Sequence, residues 1–172
     1  MTNRGRIMRI GFGYDVHPFA TRRKLVLGGE VIPYDKGLNG HSDADVLTHS
    51  LIDALLGAAG EGDIGQHFSD DDQQYKDISS LKLLAKTNEL LKAKKYRINN
   101  IDISIVIEEP RILPHILAMR ENISQTLNLP LEKINIKATT SEKMGFVGRK
   151  EGVAAYCAVS IEEVNNHGRE KR

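Results

Sequence analysis

From Asn100 the chain alternates with period two: Ile101, Ile103, Ile105 and Ile107 stand between Asp102, Ser104 and Val106. Successive side chains of a strand point to opposite faces, so this run has one strongly buried face and must lie in a sheet packed on something apolar. Pro110 ends it. Apolar runs at Lys133 to Ala138 and Val153 to Glu162 supply two more strands. Two stretches near the start, Ile7 to Val16 and Lys24 to Pro33, read as neighbouring strands, with Gly28-Gly29 marking a bulge or tight turn.

Three helical patterns offer the apolar partner. Ser42 to Ala59 has Ser42 as its N-cap, Asp45 in the capping-box position, and Gly60 and Gly62 beyond its end. Ile78 to Lys94 carries Leu81, Leu84, Ala85 and Leu91 on one face and lysines on the other. Leu113 to Asn128 is bracketed by Pro110 and Pro130. The order, about ββααβαββ, predicts an α+β fold: a single mixed β-sheet with helices on one face, in a ferredoxin-like β-α-β arrangement. One domain over 1–172 is expected, with flexible ends at 1–6 and 165–172. The sheet's other face then needs a cover, which subunit association would supply.

Charge narrows the partners. With 24 basic and 23 acidic residues the chain carries +1, so no overall field announces nucleic acid or an anionic membrane, and any phosphate binding must be local. No stretch approaches the apolar length of a bilayer span, and no apolar segment of a signal peptide follows the basic start. The lone Cys157 lies inside the apolar run Val153 to Ile161 and reads as an inert core thiol in a reducing compartment. No nucleic acid, no membrane and a cytoplasmic setting are the expectations.

Four segments carry chemistry. Asp15-Val16-His17 ends the first strand, where residues two apart share a face, so the Asp15 carboxylate and the His17 imidazole converge. On the first helix Asp45, His49 and Asp53 form a polar stripe on an element whose Leu47, Leu51, Ile52, Leu55 and Leu56 make it apolar nearly all round. A histidine buried there needs partners: either Asp45 or Asp53 satisfies it, or one nitrogen binds a metal while the other donates to a supporting oxygen. Asp15, His17 and His49 together offer one oxygen and two nitrogens, a set that suits zinc with a fourth position open to substrate. Just before the helix, His41-Ser42-Asp43 puts an imidazole and a hydroxyl at a helix N-terminus, where free N–H groups favour phosphate.

The third segment, Lys137-Ala138-Thr139-Thr140-Ser141-Glu142-Lys143 with Gly145-Phe146-Val147-Gly148-Arg149, combines hydroxyls, a carboxylate and cations. It suits phosphate oxygens and a hard divalent ion, and it equally suits a polar connecting loop. The fourth, Glu108-Glu109-Pro110-Arg111-Ile112-Leu113-Pro114-His115, reads by itself as a strand-to-helix connection. Tyr75 and the lysines of the second helix carry no chemical signal, and Asp70-Asp71-Asp72 reads as a solvated acidic turn.

Taken in order, these segments resemble the 2-C-methyl-D-erythritol 2,4-cyclodiphosphate synthase family. The likeness runs through Gly11-Phe12-Gly13-Tyr14-Asp15-Val16-His17, His41-Ser42-Asp43-Ala44-Asp45-Val46, Asp53-Ala54-Leu55-Leu56-Gly57-Ala58, Gly62-Asp63-Ile64-Gly65 and Lys137 to Lys143, and covers residues 8 to 163. The resemblance implies zinc on Asp15, His17 and His49, and Mg2+ or Mn2+ on Glu142 with substrate phosphates. It implies that His41 and Ser42 meet the erythritol phosphate, Asp63 and Gly65 the erythritol, and Pro110, Arg111 and Leu113 with Thr139 and Thr140 the cytidine diphosphate. Further substrate contacts are implied for Asp15, His17, Ile64, Asp70, Ser141, Phe146 and Arg149, and catalytic roles for His41, Thr140 and Glu142. A homotrimer with sheet faces packed together and sites between subunits is also implied. The chain departs from the family pattern at Glu109 and Arg111, where alanine and lysine are usual, and at Ser69, where proline is usual. A metal-dependent diphosphate hydrolase and a non-catalytic isoprenoid-diphosphate-binding trimer are the competing readings.

Overall fold

The structure, a computed structural model, describes residues 7–69 and 71–164. The ends expected to be flexible, and Asp70, lie outside the described residues. In chain order the elements are β1 (Met8–Thr21), β2 (Leu25–Leu27), β3 (Glu30–Ile32), β4 (Lys36–Leu38), α1 (Val46–Ala59), α2 (Ile64–His67), α3 (Ser80–Ala93), β5 (Tyr96–Val106), α4 (Ile116–Leu127), β6 (Ile134–Thr139), α5 (Gly145–Gly148) and β7 (Gly152–Glu163).

Five strands form one mixed sheet in the order β4-β1-β7-β5-β6. β1 and β7 run antiparallel from Met8↔Glu162 to Pro18↔Gly152. β5 pairs antiparallel with β7 and parallel with β6, the latter reached through the α4 crossover. The isoleucines of β5 behave as their spacing requires: Ile101, Ile103 and Ile105 are fully buried and Ile107 nearly so, while Asp102, Ser104 and Val106 are half-exposed. Cys157 is buried in β7, and burial pushes its thiol far up from the ordinary range, as an inert core residue requires.

α1 lies across β1 and β7 and is backed by α3, which explains why it is apolar nearly all round. Leu47, Leu51, Ile52, Leu55 and Leu56 have no exposed surface. At about 2 kcal/mol each, five such side chains contribute roughly 10 kcal/mol, comparable with the whole net stability of a domain.

Three local expectations are corrected. Lys24 to Pro33 is not a strand beside β1. It is a hairpin of β2 and β3 in its own two-stranded sheet, turned by Gly28 (φ 56°) and Gly29 (φ 72°), and the edge neighbour of β1 is β4. The turn is held away from the main sheet because the buried Asp45 carboxylate accepts the N–H groups of Gly28 at 2.9 Å and Gly29 at 2.8 Å. The first helix begins at Val46 and not at Ser42: left-handed Ala44 (φ 57°) breaks the path, and Asp45 is the N-cap, accepting from Thr48 N at 3.0 Å. The third helix begins with a separate 3-10 turn at Leu113–His115 before α4.

The sheet face away from α1 carries a line of apolar side chains. Ile10 is 76% and Phe12 67% exposed, with Met8, Tyr14, Val16 and Tyr156 beside them. The rings of Tyr14 and Tyr156 meet at a 38° tilt with centroids 5.0 Å apart. Exposed apolar patches of this continuity are characteristic of interaction surfaces. Among the described residues no helix is long and apolar enough to cross a membrane.

Candidate metal centre and second recess

The centre depends on how closely α1 approaches β1. Gly11 and Gly13 face the helix, and a Cβ added there would stand 1.8 Å from the Ala54 carbonyl oxygen and 2.0 Å from that of Ser50. Only glycine permits this contact. The next inward positions of β1 are Asp15 and His17, and the helix meets them with His49.

Three atoms converge there. Oδ2 of Asp15 lies 3.0 Å from Nε2 of His17 and 3.1 Å from Nδ1 of His49, and the two ring nitrogens are 3.1 Å apart. The second carboxylate oxygen of Asp15 is fixed by Val16 N at 2.8 Å. Of the helical stripe, only His49 turns inward to the site. Asp45 is spent on the N-cap and the hairpin tip, with Thr48 Oγ1 also donating at 2.7 Å. Asp53 accepts Ile64 N at 2.8 Å and so sets α2 in place. The His49 ring is therefore bonded to neither, and its nitrogens meet Asp15, His17, Ser42 and Ser80 instead.

The outer nitrogen of His49 has its own support. Nε2 lies 2.8 Å from Ser80 Oγ and 3.1 Å from Ser42 Oγ. Ser80 gives its hydroxyl proton to Asp43, whose carboxylate also accepts Ser80 N at 2.9 Å, so toward His49 it is an acceptor. A neutral His49 with its proton on Nε2, donated to Ser80, would point the Nδ1 lone pair at the Asp15 carboxylate. Two electron-rich atoms 3.1 Å apart need a cation between them.

The donor set fits a metal ion: these three residues each offer one atom, all mutually within 4.8 Å. A tetrahedral ion with bonds of about 2.0–2.1 Å spaces its ligands roughly 3.3 Å apart, so the observed triangle needs little adjustment. Without the ion a proton takes its place. Burial pulls the His49 imidazole down, but the Asp15 hydrogen bond and charge, aided by Asp45 and Asp43, outweigh it and hold its pKa above the ordinary value. Burial likewise pushes Asp15 up, and the bonds and charges of His17 and His49 prevail, holding its carboxyl well below the usual range.

The triad forms one wall of a cleft of about 380 Å3 lined also by His41, Ser42, Ile64, Gly65, Phe68 and Tyr75. Nε2 of His41 is buried without a hydrogen-bond partner. The free helix N–H groups expected behind His41 are displaced, because Asp45 caps α1 three residues later than the sequence suggested. Ser42 supports His49 as well as lining the cleft. Asp63 does not line it: its carboxylate caps α2, accepting Gln66 N at 3.0 Å and Gln66 Nε2 at 2.8 Å. Tyr75, which carried no signal in sequence, is a wall residue packed edge to face on Phe68 at 5.5 Å.

A second recess of about 410 Å3 lies at the other residues singled out, between the turn after β5 and the end of β6. Pro110, Arg111, Leu113, Thr139 and Thr140 line it, and Ile107 N donates to Thr139 O at 3.0 Å across its floor. Thr140 Oγ1 donates to Glu142 Oε1 at 2.8 Å. Ser141 Oγ faces Glu108, and Arg149 is paired with Glu151 at 2.8 and 3.0 Å and does not line the recess. Phe146 is 37% exposed on α5. The two recesses share no lining residue. What sequence reasoning missed is the supporting roles: Asp43 and Glu108 stand within the segments singled out but were given no part, Ser80 lies outside them, and no spacing rule links the three to their partners.

Comparison with known proteins follows the same lines. The profile of the YgbB family matches residues 8–162. The 2-C-methyl-D-erythritol 2,4-cyclodiphosphate synthase of Desulforamulus reducens is 54% identical over 156 residues, covering 91% of this chain and 99% of its own length. That of Syntrophobacter fumaroxidans is 57% identical over 154 residues, covering 90% and 97%. Among solved structures, the bifunctional IspDF of Campylobacter jejuni superimposes with a TM-score of 0.90 at 42% identity, over 94% of this chain and 44% of that one. The IspF of Plasmodium falciparum, a CDP complex, gives a TM-score of 0.81 at 32% identity, over 92% and 97%.

Proposed function

Since this chain belongs to the YgbB family, we propose that it converts 4-diphosphocytidyl-2-C-methyl-D-erythritol 2-phosphate to 2-C-methyl-D-erythritol 2,4-cyclodiphosphate with release of CMP, as a phosphorus–oxygen lyase of the non-mevalonate isoprenoid pathway. The observation that carries this reading is the convergence of Asp15, His17 and His49 on one point at the wall of a cleft.

The reaction is an intramolecular phosphoryl transfer. A 2-phosphate oxygen forms a bond to the β-phosphorus, the bond from that phosphorus to the bridging oxygen breaks, and CMP leaves with the electron pair. The nucleophile is already ionised near neutral pH, so the protein needs no general base and works by positioning anions and spreading charge. Asp15, His17 and His49 would hold zinc, which would supply Lewis-acid polarisation of a phosphate oxygen, and Glu142 would hold Mg2+ or Mn2+, which would supply neutralising charge on the diphosphate. His41 offers its unpartnered Nε2 and Ser42 its hydroxyl to the erythritol phosphate. Ile64 and Gly65 shape the erythritol end, with Asp63 holding their turn. Pro110 to Leu113 with Thr139 and Thr140 receive the cytidine diphosphate, Arg111 adding positive charge. Ser141, Phe146 and Arg149 border this second group of contacts.

Two recesses with no lining residue in common are compatible with a site assembled from neighbouring copies. The exposed apolar face of β1 and β7 suits the packing of sheets in a homotrimer, with each site assembled from neighbouring subunits. A cytoplasmic enzyme of one domain per subunit is the corresponding setting.

The test is incubation with the cytidine-linked substrate and divalent metal, followed by phosphorus NMR. Cyclic diphosphate and CMP in equal amounts support the reading. Free phosphate would indicate a hydrolase, and binding without CMP a non-catalytic trimer.

A further inference from the structure

Glu108 stands two residues past the end of β5 and reaches a segment more than thirty positions away in sequence. Its Oε1 accepts hydrogen bonds there from Ser141 N at 3.0 Å and Lys143 N at 3.2 Å, with Ser141 Oγ at 3.1 Å shared with the nearer Met144 O at 2.7 Å. The residue between those two amides is Glu142.

The backbone of that segment is unusual. Glu142 (φ 53°) and Lys143 (φ 63°) are consecutive left-handed residues that carry side chains, a conformation ordinarily left to glycine. Such a turn directs its N–H groups into a concavity that favours an anion. The Glu108 carboxylate fills it. Desolvation works against the charged form, but the N–H groups of Lys143 and Ser141 prevail and hold its carboxyl below the ordinary value, so it is an anion at neutral pH. Glu108 also opens the turn that leads to Pro110 and Arg111, and it lines the second recess itself. One carboxylate thus ties the two walls of that recess together.

We propose that Glu108 is a positioning residue: by anchoring the amides on both sides of Glu142 it sets the backbone that presents Glu142 and Thr140 to the diphosphate and its divalent ion. This rests on the reading of Glu142 as the holder of that ion. Glu108 itself touches neither the ion nor the reacting phosphorus.

The test compares Glu108→Ala and Glu108→Gln with the wild-type protein. Amide hydrogen exchange at Ser141 and Lys143 is followed by NMR on the zinc-loaded protein without substrate, and CMP release is measured against Mn2+ concentration. In the alanine variant both amides exchange freely, kcat falls about 10- to 100-fold, as for loss of a residue that orients a ligand, and half-saturating Mn2+ rises. KM for substrate moves less, and zinc content stays stoichiometric. Glutamine keeps an acceptor oxygen without the charge and falls between the two. Unchanged amide protection in the alanine variant overturns the proposal, even if activity is lost, and so does free exchange with kcat and Mn2+ dependence unmoved. A wild-type protein that releases no CMP defeats the reading of the function instead, while Mn2+ binding in the presence of CDP, compared between wild type and Glu108→Ala, still decides the role of Glu108.

Discussion

Nδ1 of His49 stands 3.1 Å from Oδ2 of Asp15, although the two residues are separated by 34 positions and lie on different elements. The contact exists because two glycines let a helix settle on a strand, and because Ser80 and Asp43 commit the other nitrogen of the ring. Each of these conditions is separately testable.

His49→Ala removes a ligand and leaves the Asp15 and His17 pair. Zinc affinity is expected to fall by more than the roughly 10- to 100-fold typical of losing a supporting contact, with CMP release abolished and far-UV circular dichroism near native. Metal analysis beside kinetics checks it; stoichiometric zinc with full turnover in this variant would refute the assigned ligand.

Ser80→Ala deletes the nearer of the two hydroxyls at His49 Nε2 and the donor to Asp43. Zinc binding should weaken by about 10- to 100-fold while the ligand set stays complete. Competition with a chromogenic chelator measures this directly, and affinity equal to wild type would show that the tautomer is held by other means.

Metal-free protein should have a characteristic stability profile. His49 has a folded pKa above its ordinary 6.5, so its contribution is full below that value and is lost as pH rises through the folded pKa. Asp15 has a folded pKa below its ordinary 3.8, so its contribution is full above that value and is lost as pH falls toward the folded pKa. Thermal melts in EDTA should therefore peak between about pH 4 and pH 6.5, and zinc should add more stability above that window than inside it, because there it no longer competes with a proton. A melting temperature of the metal-free protein that climbs steadily to pH 8 would contradict the account.

Gly13→Ala places a methyl group 2.0 Å from the Ser50 carbonyl oxygen. α1 must move, at a cost of about 3 kcal/mol or more for overpacking against backbone, and His49 moves with it. Urea unfolding and zinc content should fall together; a loss of stability with unchanged zinc affinity would separate the helix contact from the metal site.

How much was legible in sequence follows from the range of each interaction. Ile101 to Ile107 announce a half-buried strand because the period is written in adjacent residues, and the leucines of α1 announce burial for the same reason. The D-x-H face of β1 and the place of His49 were likewise readable locally. The start of α1 was not: Ser42 has the chemistry of a cap, and only the left-handed turn at Ala44 and the hairpin tip gripped by Asp45 move the boundary. The hairpin itself was misplaced because its pairing is decided by Asp45, sixteen residues beyond Gly29. Ser80 and Glu108 were invisible as site residues, since their importance lies in partners more than thirty positions distant.

The separation of the two recesses reaches beyond chemistry into inheritance. If neighbouring copies each lend one recess, a chain ruined at His49 and a chain ruined at Glu142 are defective in different halves of a shared site. Mixed assemblies then contain some sites built from two intact halves, so two dead alleles expressed together should sustain growth that neither sustains alone. Alleles broken in the same recess should fail to rescue each other, and the pattern of rescue would map which residues belong to which half without any structure at all.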